Sequence, residues 1–140
     1  MLSIDTSTGF GARAQRRLAD DTVGWLVTVD RSGTPQPTPV WFLRSGDDLL
    51  VSSQPRTAKL RNIAANPRVA LHLNSTETGG NVIVVTGAAA VDPDGMTADE
   101  RSSYDEKYRR AIKGLGMTND EFHADYSVVV RITADKLRGF

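Results

Sequence analysis

The sequence predicts a mainly β fold with helices (α+β), a six-stranded antiparallel barrel, and three observations predict it. Short runs rich in β-branched and aromatic residues recur along the chain. Turn-forming clusters such as Asp30-Arg31-Ser32-Gly33 and Ser45-Gly46-Asp47-Asp48 separate them closely enough to make hairpins. Helical patterns fall only at connections, three in all, where they serve as accessories to a barrel.

In chain order, Thr8 or Gly9 caps a helix running to about Asp20, with Phe10, Ala14, Arg17 and Leu18 at near-helical spacing. Residues 23–29 form a strand, and Trp25 on it is expected in the core. After the turn, 35–43 resumes an extended pattern. Pro35, Pro37 and Pro39 alternate there, so their missing N–H groups share one side, as an edge or irregular strand tolerates. Residues 49–53 make the next strand. A short helix over 57–65 is stopped by Asn66-Pro67, and 69–73 reads as strand. Gly79 and Gly80 turn the chain into 81–91, a run so apolar that both faces are expected to be covered. Thr97 with Glu100 matches a capping box and opens a charged helix to about Ile112, with Tyr104, Tyr108, Ala111 and Ile112 on one face as core or interface residues. His123 reads as a helix-end or loop residue, and 125–132 as the last strand.

The 140 residues suit one domain, 1–140, large enough to fold on its own core. Seventeen basic and seventeen acidic residues cancel, which removes the diffuse positive field of a sequence-tolerant nucleic-acid binder; any anion site must be local. With no cysteine and two histidines, disulfides, thiolate metal sites and cysteine nucleophiles are excluded and no metal site is assigned. The N-terminal residues lack an apolar signal segment and no window approaches the roughly 18 apolar residues of a membrane span, so a soluble cytoplasmic protein is expected.

Residues 52–73, SSQPRTAKLRNIAANPRVALHL, pose the sharpest question. Arg56, Lys59 and Arg61 crowd the first turn of a helix whose free N–H groups and partial positive charge favour anions there. Either the cations splay into water at small cost, or an anion occupies the space an acidic side chain would fill. A phosphate suits such a turn: arginine pairs with it bidentately, lysine adds a point charge, and Thr57 offers a hydroxyl beside the free N–H groups. Trp41 and Phe42, adjacent on a strand, must point to opposite faces, one of them available to a flat ligand. His72 lies opposite Leu71 and Leu73 and reads as structural, having no carboxylate nearby in sequence. No G-x-S-x-G, G-x-x-x-x-G-K-[ST] or G-x-G-x-x-G motif occurs, so hydrolase and nucleotide-fold readings have no support.

The order of TPVWFL at 38–43, DLLVSS at 48–53, PRTAKLRNI at 55–63 and NPRVALHL at 66–73 resembles the pyridoxamine 5'-phosphate oxidase-like split β-barrel family, over nearly the whole chain. The PVWF strand and the R-x-x-K-x-x-N spacing resemble its actinobacterial deazaflavin (coenzyme F-420)-dependent reductase branch. The resemblance implies a Greek-key, FMN-binding-protein-like split barrel and a homodimer with two equivalent cofactor clefts. It implies that Arg56, Thr57 and Lys59 bind the cofactor phosphate with Asn62 adding a polar contact, that the backbone of Pro39, Val40, Trp41 and Phe42 faces the tricyclic ring, and that Ser52 and Ser53 lie on the strand beside it. Asn81 falls near a position that contacts the ring from the other subunit.

One departure bears on the cofactor. FMN-using members carry a basic strand segment of the form R-x-x-L-L-K where this chain has Thr38-Pro39-Val40-Trp41-Phe42-Leu43, and the C-terminal Asp135-Lys136-Leu137-Arg138-Gly139-Phe140 has no substrate-phosphate cluster. Both absences favour F-420 over FMN. The implied activity is hydride transfer from reduced F-420 to a small unsaturated or quinone-like acceptor, with no side chain assigned a catalytic role. An FMN flavoprotein and a non-catalytic flavin, deazaflavin or tetrapyrrole carrier are the alternatives. The polyglutamate tail of F-420 calls for a further basic surface, for which Arg13, Arg16 and Arg17 are candidates.

Overall fold

The computed structural model describes residues 2–140. Seven strands form one antiparallel sheet in the order β2-β1-β5-β6-β7-β4-β3: β1 Gly24–Val29, β2 Pro35–Val40, β3 Phe42–Ser45, β4 Asp48–Ser53, β5 Arg68–His72, β6 Ile83–Val91 and β7 Val128–Gly139. Four helices accompany them: α1 Gly9–Asp20, α2 Ala58–Ala65, α3 Ala98–Gly114 and α4 Asn119–Asp125. The two outermost strands, β2 and β3, are consecutive in the chain and separated only by Trp41. The sheet must therefore curl until its two edges nearly meet, which makes it a barrel split at Trp41.

That split corrects the strand count from six to seven. The predicted single strand over 35–43 changes partner at Trp41: up to Val40 it pairs with β1, and from Phe42 it pairs with β4. The three prolines sit on β2, which has one neighbour, so their missing N–H groups cost no ladder bond on the free side. The helix count rises from three to four because 119–125 is a helix, capped by Thr118 with Glu121 in the same reciprocal box that Thr97 and Glu100 make on α3. The last strand starts later and runs further than expected, pairing with β6 through Gly139. Only the first half of β6 is covered on both faces; Ala88, Ala90 and Val91 are exposed.

Inside the barrel, Leu26, Val40, Phe42, Val51, Leu71, Val85 and Ile132 pack with Ala14 and Leu18 of α1 and Ile63 of α2. Trp25, expected there, points outward instead. Its strand neighbours Leu26 and Thr28 take the interior, while its ring stacks on His72 at 6.4 Å and its Nε1 donates to Asn74 Oδ1 at 2.9 Å. A second apolar cluster lies outside the wall, where Leu43, Leu50 and Val129 meet Tyr104, Tyr108, Ile112 and Phe122 of α3 and α4. Strand alternation sends Val51 inward and Leu50 outward, so β4 is buried on both faces.

One ion-pair network fixes α3 on this wall. Arg131 of β7 donates to both Glu100 oxygens at 2.9 Å, to Asp92 at 2.9 Å and to Asp48 at 3.2 Å. Glu100 also accepts from Ser45 Oγ at 2.6 Å and from the Thr97 N–H at 3.0 Å, so one carboxylate caps α3 and ties it to β3 and β7. These bonds, the Arg131 guanidinium foremost, hold the Glu100 carboxyl down at about 2.

Candidate functional site

Two adjoining depressions on this face share Lys59. The first, about 440 Å³, lies at the N-terminus of α2 and is lined by Thr28, Gln36, Thr57, Lys59 and Asn62 among others. The second, about 330 Å³, lies between the barrel wall and α3–α4, lined by Pro39, Val40, Trp41, Ser52, Tyr104 and Phe122, with Tyr126 and Leu115 at its rim. They form a groove with a polar, cationic end and an aromatic end.

The polar end follows from local sequence. α2 has no acidic residue in its first turn, and unlike Thr8, Thr97 and Thr118, its N-cap Thr57 makes no side-chain bond to the helix; its hydroxyl instead adjoins Ser53 Oγ at 3.2 Å. The N–H groups of the first turn are therefore left for another acceptor. Lys59 makes no ion pair among the described residues, and burial pulls its pKa below the ordinary lysine value. A half-buried, unpaired ammonium beside free N–H groups is a fit for a phosphate. Asp30 also lines this end, but its carboxylate is occupied by the Ser32 and Thr34 N–H groups and the Gln36 amide of the β1–β2 turn.

The aromatic end follows from alternation. Trp41 and Ser52 point to the outer side of the wall, and Phe42 and Ser53 away from it, as adjacent strand residues must. Trp41 lies flat on Tyr108 at 4.8 Å and on Phe122 at 5.4 Å, and Phe122 on Tyr126 at 4.7 Å, with interplanar angles of 7°, 20° and 19°. These rings stack on one another and make a flat aromatic wall to the second depression, an aromatic slot whose side suits a planar ring.

Of the ten predicted cofactor-binding residues, the groove brings together Pro39, Val40, Trp41, Ser52, Thr57, Lys59 and Asn62. Asn62 is partly spent, since its side-chain N–H donates to Thr28 Oγ1 at 3.0 Å. Three residues stand outside it. Phe42 is fully buried in the barrel, its N–H donates to Tyr108 Oη and its carbonyl accepts from Lys107 Nζ, each at 2.8 Å. Ser53 is buried, and its hydroxyl donates to the Gln54 carbonyl at 2.7 Å. Arg56 is exposed at the corner before α2 with left-handed backbone (φ 63°), a conformation of order 1 kcal/mol or more in cost for a non-glycine residue. Arg61 folds back on the Arg56 carbonyl at 2.8 Å rather than facing the groove. Arg17 is taken by Asp21 and by the carbonyls of Asn74 and Asn81, which removes it from the candidates for an anionic tail.

Sequence reasoning misses the walls supplied by Val23, Tyr104, Leu115, Phe122 and Tyr126. The Thr118-x-x-Glu121 box was the available signal for α4. Neither histidine lines the groove: His72 stacks on Trp25, and His123 Nε2 meets Asp105 Oδ1 at 2.7 Å. Among the described residues, no group of three or more His, Cys, Asp or Glu side chains is placed to hold a metal, and no helix is long and apolar enough to cross a membrane.

A family model described as pyridoxamine 5'-phosphate oxidase matches residues 10–140. The chain belongs to the pyridoxamine 5'-phosphate oxidase family. No curated protein matches the sequence. Solved structures share this family fold at low identity. An F-420 reductase is 24% identical over 89% of this chain and 94% of its own, with a TM-score of 0.64. The heme storage protein HutZ of Vibrio cholerae is 17% identical over 99% and 95%, TM-score 0.66. An FAD-binding protein of Mesorhizobium loti is 21% identical over 90% and 88%, TM-score 0.62.

Proposed function

We propose that this chain is a cytoplasmic, homodimeric oxidoreductase of the pyridoxamine 5'-phosphate oxidase family that binds a flavin-type cofactor, coenzyme F-420, and reduces a small unsaturated or quinone-like acceptor. The observation that carries the reading is the single groove joining an unpaired, half-buried Lys59 and an uncapped helix N-terminus to an aromatic slot. The cationic end would hold the cofactor phosphate through Lys59, Thr57 and the α2 N–H groups, and Trp41 with the backbone of Pro39 and Val40 would bear the ring. When bound, the reduced cofactor supplies the hydride. The protein contributes position and exclusion of water, the packed face of Trp41, Phe122 and Tyr126 keeping one side of the slot dry.

Arg56 is exposed and close in sequence, and would add charge to the phosphate end without entering the groove. The exposed Ala88 and Ala90, on one face of β6, supply an apolar patch for the second copy. FMN is the second reading, favoured by the family match and by the FAD-binding relative of the same fold. A heme role has less support, since neither histidine, a common axial ligand, lines the groove. The test is rapid mixing of the protein and reduced F-420 with a panel of quinones and enones. Oxidation of the coenzyme that depends on both protein and acceptor supports the reading. Oxidation no faster than without protein, for every acceptor, contradicts the enzymatic part of it.

A further inference from the structure

Two hydroxyls in the aromatic slot, Tyr104 Oη and Ser52 Oγ, lie beside each other and have no partner beyond one another. Tyr104 is fully buried, and neither its Oη nor the buried Oγ of Ser52 closes a hydrogen bond of good geometry. Buried polar groups in native proteins are nearly always paired, and two hydroxyls that can bond only to each other leave one donor unused. The contrast within α3 sharpens it. Tyr108, one turn on and equally buried, accepts from the Phe42 N–H and donates toward the Thr22 or Phe42 carbonyl, all at 2.8 Å. Tyr108 is built into the wall, whereas Tyr104 holds its hydroxyl in reserve.

The two hydroxyls come from different elements, Ser52 from β4 and Tyr104 from α3, and both residues line the slot beside the stacked rings of Trp41 and Phe122. We propose that the hydroxyls of Tyr104 and Ser52 bind a ring carbonyl of a planar conjugated ligand lying in this slot, with Tyr104 as the donor. This rests on the cofactor reading for what the groove is for, and goes beyond it in naming the chemical edge that is recognised. Burial pushes the Tyr104 phenol well above its ordinary pKa, against a smaller opposing effect of the nearby Ser52 hydroxyl, so it stays a donor at neutral pH. Carbonyl oxygens of this kind are present both on a flavin or deazaflavin ring and on a quinone or enone acceptor.

The test uses purified protein carrying Trp25→Phe, so that Trp41 is the single tryptophan reporting binding by fluorescence. F-420, FMN, 1,4-naphthoquinone and naphthalene, the last a ring of the same size without a carbonyl, are titrated into this protein and into its Tyr104→Phe and Ser52→Ala variants. Tyr104→Phe is expected to weaken at least one carbonyl ligand about tenfold and leave naphthalene unchanged. Its melting temperature should change little, since Oη bonds no backbone group, whereas Tyr108→Phe, which loses bonds to the Phe42 backbone, should lower it. A loss confined to F-420 or FMN assigns the carbonyl to the cofactor, and a loss confined to naphthoquinone assigns it to the acceptor. Unchanged affinity for all three carbonyl ligands, an equal loss for naphthalene, or no binding of any of the three by the parent protein overturns the proposal. Lys59→Ala separates the two readings. If it weakens F-420 or FMN while Tyr104→Phe changes nothing, the cofactor site stands without this carbonyl contact. If neither coenzyme binds the parent protein but naphthoquinone binds through Tyr104, the carbonyl contact stands and the cofactor reading falls.

Discussion

Arg131→Leu is expected to lower the unfolding free energy by about 3 kcal/mol, measured by urea denaturation at neutral pH. The side chain of Glu100 is 10% exposed and loses both of its guanidinium bonds, while Asp48 and Asp92 remain close by as like charges. Breaking a buried pair from one side leaves an uncompensated charge, which costs more than the pair itself contributes. The 24% exposure of Arg131 keeps the effect at the lower end of that range. Glu100→Gln in the same background should recover part of the loss, because it removes the unpaired charge while the amide oxygen can still accept from the Thr97 N–H and the amide N–H can donate to Ser45 Oγ. The pH dependence has a definite sign. The Glu100 carboxyl lies at about 2 in the folded protein against an ordinary value of 4.5, so its contribution is complete above about 4.5 and drains away as pH falls toward 2. In Arg131→Leu that stretch of acid sensitivity should flatten. Because this network seats α3, loosening it should also weaken any ligand held between Trp41 and Tyr104.

Gly87→Ala is expected to cost about 2 to 3 kcal/mol, read as a fall in the denaturation midpoint at unchanged slope. Gly87 sits at the register shift where β6 crosses β7, and a Cβ there would lie 2.3 Å from the Thr133 carbonyl oxygen. Backbone cannot turn away as a flexible side chain can, so the two central strands would have to part. Wild-type stability in this variant would show that the two strands approach less closely at the bulge.

Much of the scaffold is legible because it is specified locally. Thr8 caps α1, Thr97 and Glu100 open α3, and Asp30 to Gly33 and Ser45 to Asp48 turn hairpins where their side-chain and backbone chemistry dictates. The break at Trp41 is not local: the backbone stays extended on both sides, and only the exchange of β1 for β4 as partner separates the two strands. Trp25 misleads because an aromatic in a strand suggests core, yet its parity, opposite to that of the buried Leu26 and Thr28, sends it outward. The same division runs through the site. Thr57, Lys59 and Asn62 come from one helix start and are read together, whereas Tyr104, Phe122 and Tyr126 reach the groove from α3, α4 and the residue that caps α4, which only tertiary packing brings to β3 and β4. Arg56 shows the limit of charge reading, for a cation beside a helix start need not face the groove that the start lines.

Equilibrium titration of the protein with F-420 and with FMN, repeated on Lys59→Ala, addresses the central claim most directly. The account predicts binding of F-420 in preference to FMN, weakened in Lys59→Ala by about 1 to 3 kcal/mol, or roughly 5- to 150-fold. Binding that Lys59→Ala leaves unchanged, or no binding of either cofactor, would contradict it.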